Sequence, residues 1–231
     1  MSDRLTPTQA WQRMQDGNRR FVAGAPAHPH QDVARREDLA EGQKPLAVLF
    51  GCSDSRLAAE IIFDLGLGDL FVVRNAGQVT GESIMGTIEY AVDILDVPLI
   101  VVLGHDSCGA VAAAIQSLEP DAPVIAPSIW RQVSPIVPAA RRVRQEQIAA
   151  GRTGEPLDAW RVGQEHLRDT IKALMHSSDM IKAGVENGTL GIVGANYRLA
   201  EGTAVPDVML GIADDTVTET TPTAHDEGAL K

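Results

Sequence analysis

The sequence predicts an α/β fold: a mostly parallel central sheet flanked by helices, with N-terminal helical arms and an antiparallel edge strand. Three observations carry this. "PLAVLFG" and "VPLIVVLG" are short apolar runs without polar alternation, the pattern of strands covered on both faces. Each is followed by a polar loop and an amphipathic stretch, so strand, loop and helix alternate along the chain. With 231 residues, 44% of them hydrophobic, the chain is long enough for one substantial core.

The elements follow in order. Residues 1–43 read as helical arms: Thr6, Pro7 and Thr8 supply start signals, and Trp11, Met14 and Phe21 recur near a helical period. "GAPAHPHQD" interrupts the pattern, and "DVARREDLAEG" gives a second short helix stopped by Gly42. Such arms cannot bury both faces alone, so packing on a neighbouring subunit is expected. The α/β unit spans 44–212. In it "PLAVLFG" is a strand, "CSDSR" a loop and "LAAEIIFDLG" a helix ended by glycine. "DLFVVRNAG" is the next strand and "GESIMGTIEYAVDIL" the next helix. "VPLIVVLG" then leads through "HDSCGA" into the helix of "VAAAIQSL". Residues 119–165 read as helices punctuated by prolines, and "QEHLRDTIKALMHSSDMIKAGVENG" as one further helix. "TLGIVGANYRLAEGTAVPDV" is an apolar strand that turns at "AEG" into the antiparallel edge strand. The polar residues 213–231 read as a flexible tail.

The net charge of −11 argues against nucleic acid or an anionic membrane as the main partner, because either needs a basic face. No stretch reaches the roughly 18 to 20 apolar residues that span a bilayer, and "MSDRLTPTQA" has no apolar signal core, so the expected location is the cytoplasm. Cys52 and Cys108 are the only cysteines. In a reducing compartment thiol chemistry or metal ligation is expected of them rather than a disulfide.

Both cysteines stand in loops that leave the carboxyl ends of parallel strands, where open α/β sheets build their sites. His105 lies three residues before Cys108, close enough for a tight turn to aim both side chains at one atom. Cys52, His105 and Cys108 together make a donor set suited to zinc, and three protein ligands leave a fourth position open. That position goes either to water, activated by the metal, or to Asp54, two residues beyond Cys52. In the first case Asp54 pairs with Arg56. Two thiolates donate more charge than imidazoles, so the water should be less acidic than at an all-histidine site, and activity should rise into the alkaline range. His28 and His30 of "HPH" offer only adventitious binding, and His166, His176 and His225 lie in helices or the tail. Arg74 reads as a buried structural charge in preference to an anion contact. A phosphatase loop would need a longer spacing than "CSDSR" provides, and a thioredoxin-like site would need Cys-x-x-Cys.

At these residues the sequence resembles the β-class carbonic anhydrases, most of all their bacterial branch. "CSDSR", "FVVRNAG", "GTIEYAV" and "VVLGHDSCGAV" occur in the family's order and spacing, and the resemblance runs from about Trp11 to about Val208. It implies Cys52, His105 and Cys108 on one zinc ion per subunit, with Asp54 joining them in a closed state only. It also implies a homodimer or homotetramer with helical arms reaching across. The implied reaction is reversible hydration of carbon dioxide to bicarbonate and a proton by zinc-bound hydroxide, which Asp54 orients while Arg56 holds Asp54 charged. The Gly109 amide, at a helix start, would donate to a substrate oxygen. Two departures are visible. Leu49 stands where one subgroup has the tryptophan of a bicarbonate pocket, and the turn Leu65, Gly66, Leu67 lacks the glutamine another branch places near substrate. Hydrolysis of carbonyl sulfide or carbon disulfide on the same scaffold, and a non-catalytic zinc-stabilised binding protein, are the competing readings.

Overall fold

The computed structural model describes residues 4–213. Helix α1 (Pro7–Val22) starts as its sequence dictates. Thr6 Oγ1 accepts from the Gln9 amide, the Thr6 amide donates to Gln9 Oε1, and Pro7 takes the first helical position. Ala10, Trp11 and Met14 are buried in the chain's own core, and Trp11 meets Phe63 edge-on at 6.5 Å. A Cβ at Gly17 would collide with the Phe63 carbonyl, so this helix rests directly on backbone. Helix α2 (Val33–Asp38), capped by Asp32, runs into a 3-10 turn over Leu39–Glu41, and neither has a buried residue. One face of α1 thus lies on its own sheet, whereas α2 buries nothing within the chain.

The sheet contains β1 (Ala47–Cys52), β2 (Leu70–Asn75), β3 (Leu99–His105), β4 (Gly191–Arg198) and β5 (Thr203–Leu210), in the order β2-β1-β3-β4-β5. The first four are parallel, and β5 pairs antiparallel with β4, as the turn at "AEG" predicts. Successive residues feed opposite layers. Ala47 and Leu49 of β1 and Leu99, Val101 and Leu103 of β3 join one core, whereas Val48, Phe50, Ile100 and Val102 join the other. Both layers are covered by helices, which is why these strands read as continuous apolar runs.

The remaining helices are α3 (Ala59–Ile62), α4 (Glu82–Asp93), α5 (Gly109–Gln116), α6 (Pro127–Val133), α7 (Val137–Ala149), α8 (Ala159–Ser177) and α9 (Asp179–Glu186). Two expectations need correction. The helix expected over "LAAEIIFDLG" is a single turn, because Asp64 enters the left-handed region at φ 44° and bends the chain away. The single helix expected over 164–188 is two helices. Ser178 is extended, its Oγ accepts from the Ile181 amide at 3.3 Å, and the same hydroxyl donates to Glu89 at 2.6 Å, so it ends α8 and caps α9. The proline-punctuated segment behaves as read: Pro127 opens α6, and Pro138 lies in the first turn of α7. Residues 214–231, with His225 and nearly all of the expected flexible tail, lie outside the described residues. Among those described, no helix is long and apolar enough to cross a membrane.

Candidate metal centre

The register places the site. Gly51 pairs with Leu103, so Cys52 lies one step and His105 two steps beyond the same rung, at the carboxyl ends of neighbouring strands. Past Cys52 the chain is clamped by Arg74 at the end of β2. Its Nε donates to the Cys52 carbonyl at 2.9 Å and its Nη2 to the Asp54 carbonyl at 2.6 Å. Arg74 is therefore structural but exposed, not buried as the sequence reading had it, because its targets are backbone carbonyls on the outer side of the loop.

Asn75, the last residue of β2, closes the turn that reaches back to Cys52. Its side chain donates to the Val79 carbonyl at 2.7 Å and accepts from the Val79 amide at 2.9 Å. Inside that turn Gly77, at φ 78°, donates its amide to Cys52 Sγ at 3.3 Å. A Cβ at Gly77 would lie 2.8 Å from Ala110 Cβ and 2.9 Å from Ile136 Cδ1, so only glycine fits.

The other two donors come from one short segment. His105 Nδ1 donates to the Asp106 carbonyl at 2.7 Å, which leaves Nε2 as the bare lone pair. That Nε2 is buried and has no partner. Ser107 turns the chain at φ 51°, and Cys108 becomes the N-cap of α5. Cys52, His105 and Cys108 are each 5% exposed, and their ligand atoms lie within 4.8 Å of one another.

A hydrogen bond from Cys108, aided by His105 and the Gly77 amide, outweighs burial and brings the Cys52 thiol down to about 4. Cys108 is pushed up in turn by that shared hydrogen bond and by burial, although the amides of Val111 and Ala110 favour its thiolate. Two buried thiols this close cannot both ionise without a cation between them. An orphaned imidazole nitrogen beside a thiolate and a thiol that conflict over one proton is a donor set that fits a borderline-soft divalent metal.

Asp54 is not part of this converging group. Its Oδ1 accepts from the Arg56 amide at 3.0 Å and from Arg56 Nε at 2.9 Å, and its Oδ2 accepts from Arg56 Nη2 at 2.7 Å. These bonds hold the carboxyl far below the usual carboxylate range, and the Arg56 Nη2 also donates to the Ser107 carbonyl at 3.3 Å. Gly109, the first residue of α5, is exposed. Leu49 is buried in the core, and the Leu67 amide donates to the His30 carbonyl at 2.9 Å, which ties that turn to the "HPH" segment. His30 itself bonds Asp69 at 2.8 Å and joins no metal-binding group among the described residues.

A family model described as carbonic anhydrase matches residues 47–204, which contain all of these residues except His28, His30 and the arms. The chain belongs to the β-carbonic anhydrase family. It is 47% identical over 199 residues to carbonic anhydrase 2 of Mycobacterium tuberculosis, covering 86% of this chain and 92% of that one. It is 46% identical to the carbonic anhydrase of Mycolicibacterium smegmatis, with 85% and 91% coverage. Among solved structures, a tetrameric β-carbonic anhydrase of Sordaria macrospora superposes with a TM-score of 0.64 at 27% identity over 80% of this chain and 91% of that one. The Coccomyxa enzyme in complex with acetazolamide gives 0.62 at 26% identity, covering 83% of each chain. Carbon dioxide hydration is the general reaction of a carbonic anhydrase.

Sequence reasoning missed two groups at this centre, the Gly77 amide and His166. His166 Nε2 lies 2.7 Å from the Gly77 carbonyl. Its signal in the sequence is faint: it occupies the inward stripe of α8 with Val162 and Thr170, four residues to either side, where a polar residue is unexpected.

Proposed function

We propose that this carbonic anhydrase reversibly hydrates carbon dioxide at a single zinc ion held by Cys52, His105 and Cys108, with Asp54 and Arg56 as the positioning pair. The observation that carries this is the convergence of two sulfurs and an unpartnered imidazole nitrogen beside a carboxylate that an arginine keeps ionised. Zinc, when bound, supplies a Lewis acid that brings the pKa of water toward neutrality. Asp54 Oδ2 takes one hydrogen bond from Arg56 and keeps a lone pair. That lone pair accepts the O–H of the attacking water and aims its nucleophilic electron pair at carbon. Arg56 fixes the carboxylate at two points, so little reorganisation is needed at reaction. The Gly109 amide begins α5 and donates to the substrate oxygen as charge develops.

Gly109 borders a mostly apolar cleft of about 370 Å³, lined by Ala76, Ala110, Ala113, Ile129 and Val133 together with Ser128 and Gln132. Activity rises into the alkaline range. Asp54 ligates the metal only in a closed state. We assign the chain to the cytoplasm and to a homo-oligomer, dimer or tetramer; the tetrameric Sordaria relative supports the latter kind of assembly. Residues 1–43 form the arms, whose α2 has no buried residue of its own, and residues 44–212 the catalytic unit.

The test is Asp54→Asn in the zinc-loaded protein, with stopped-flow assay against carbon dioxide, carbonyl sulfide and carbon disulfide. The expected outcome is turnover of carbon dioxide by the parent and a loss of about 100-fold or more in the variant, with one zinc per chain retained by both. Turnover of only the sulfur gases would assign the scaffold a hydrolase role. Full metal with no turnover of any gas would make the centre structural.

A further inference from the structure

We propose that His166 is a positioning residue of the metal centre: from α8 it anchors Gly77, and through the Gly77 amide it fixes the orientation and donor strength of the Cys52 thiolate. This rests on the reading of Cys52 as a metal ligand. The chain of contacts is short. His166 Nε2 lies 2.7 Å from the Gly77 carbonyl, and the Gly77 amide lies 3.3 Å from Cys52 Sγ. A carbonyl only accepts, so Nε2 carries the proton. Burial pushes the imidazole's pKa down and keeps it neutral, which leaves Nδ1 as a bare acceptor.

Two features show that packing alone does not account for this residue. His166 is 3% exposed and its Nδ1 has no partner, so the chain tolerates an unsatisfied buried nitrogen where an apolar side chain would avoid that cost. The group it holds is a glycine at φ 78°, the residue type freest to rotate its amide away from the sulfur. Ala110 and Ile136 wedge Gly77 from one side, and His166 restrains its carbonyl from the other. One turn further along α8, Thr170 Oγ1 shares its single proton between the His166 carbonyl at 3.0 Å and the Gln78 carbonyl at 3.4 Å, a weaker contact to the next residue of the same turn.

An N–H donated to a thiolate withdraws charge from sulfur and fixes its lone pairs. Losing the anchor leaves more charge on the sulfur, which shifts its charge-transfer energy, and lets its lone pairs turn away from the metal, which weakens the hold on zinc. In His166→Leu, zinc release to a chelator should accelerate about 10- to 100-fold, and the sulfur-to-metal charge-transfer band of the cobalt-substituted protein should shift. His166→Gln keeps an N–H donor and should stay within a few-fold of the parent in both readouts. Folding of the variants is checked by their thermal transitions.

A measurement on the parent chain is independent of any variant. In cadmium-113-loaded, nitrogen-15-labelled protein, the Gly77 amide should couple to the metal through the Cys52 sulfur. Absence of that coupling overturns the proposal, as does a folded His166→Leu with unchanged release and unchanged spectrum. Equal losses in the Leu and Gln variants would assign His166 to packing and also overturn it. Failure of the parent to bind cobalt at all would overturn the metal reading itself, a result readily told apart from the others.

Discussion

The loop after β1 is held largely by exposed arginine side chains, whereas the segment between β3 and α5 is tied to the end of β4 through Asp106, by both its amide and its carboxylate. Arg74 and Arg56 secure the first, with Arg56 bonded to the carboxylate of Asp54 and its own side chain 52% exposed. In the second, the Asp106 amide donates to the Tyr197 carbonyl at 3.1 Å, Asp106 Oδ1 accepts from the Leu199 amide at 3.1 Å, and Cys108 starts a helix. The difference separates two jobs. Cys52 keeps its place through Arg74 and Gly77, neither of which touches the Asp54 side chain. The segment after β3 carries two of the three proposed metal donors, and the solvent-facing loop carries the carboxylate proposed to change partner.

The hardest break is in the segment after β3. Cys108→Ser removes one of three donors and leaves an orphaned imidazole beside one thiolate, so zinc content by elemental analysis should fall from one per chain to under about a tenth. A variant that retained stoichiometric zinc would show that Cys108 is not a ligand. Breaking the side-chain-held loop should have a different signature. Arg56→Met removes both guanidinium bonds to Asp54 and the one to the Ser107 carbonyl, leaving Asp54 Oδ1 only the backbone amide of residue 56 and leaving Arg74 and Gly77 in place, so zinc should stay near one per chain while carbon dioxide hydration falls about 100-fold. Parallel loss of metal and turnover would contradict the division of labour between the two loops.

A third anchored turn, apart from the metal donors, gives the scale for a purely structural contact. Buried Asp64 accepts from Arg20 Nε at 2.6 Å, from the Ala27 amide at 2.8 Å and from the His28 amide at 2.9 Å. Burial raises its pKa, but the Ala27 amide, Arg20 and the His28 amide outweigh it and set the folded value below the ordinary one. A depressed folded pKa contributes stability above the unfolded value, near 4, and that stability is lost as pH falls through the folded one. Asp64→Asn should therefore cost about 2 kcal/mol in urea denaturation at pH 7. The gap to the parent should begin to narrow below about pH 4, the unfolded value, and close only once the pH falls below the lower folded value. A gap independent of pH would assign the loss to packing.

These regions were unequally legible in the sequence. Cys52, His105 and Cys108 could be read because each follows an apolar strand, and the sheet rule brings strand ends together. Asp54 and Arg56 could be read because they are two residues apart and bond within their own loop. Arg74 was read as structural but placed wrongly in the interior, since only the β1–β2 register shows it reaching outward to carbonyls 20 and 22 residues away. His166 bonds a carbonyl 89 residues distant, a contact that no local pattern encodes. The break at Ser178 does have a local signal, a serine before Asp179, but the apolar spacing continues across it and masks the boundary.

Titration of the metal-free protein with zinc, with carbon dioxide hydration followed by stopped flow at each addition, tests the central claim most directly. Turnover should rise in proportion to zinc, stop at one equivalent per chain, and increase from neutral to alkaline pH. Full turnover without metal, or one tightly bound zinc per chain with hydration no faster than buffer, would contradict it.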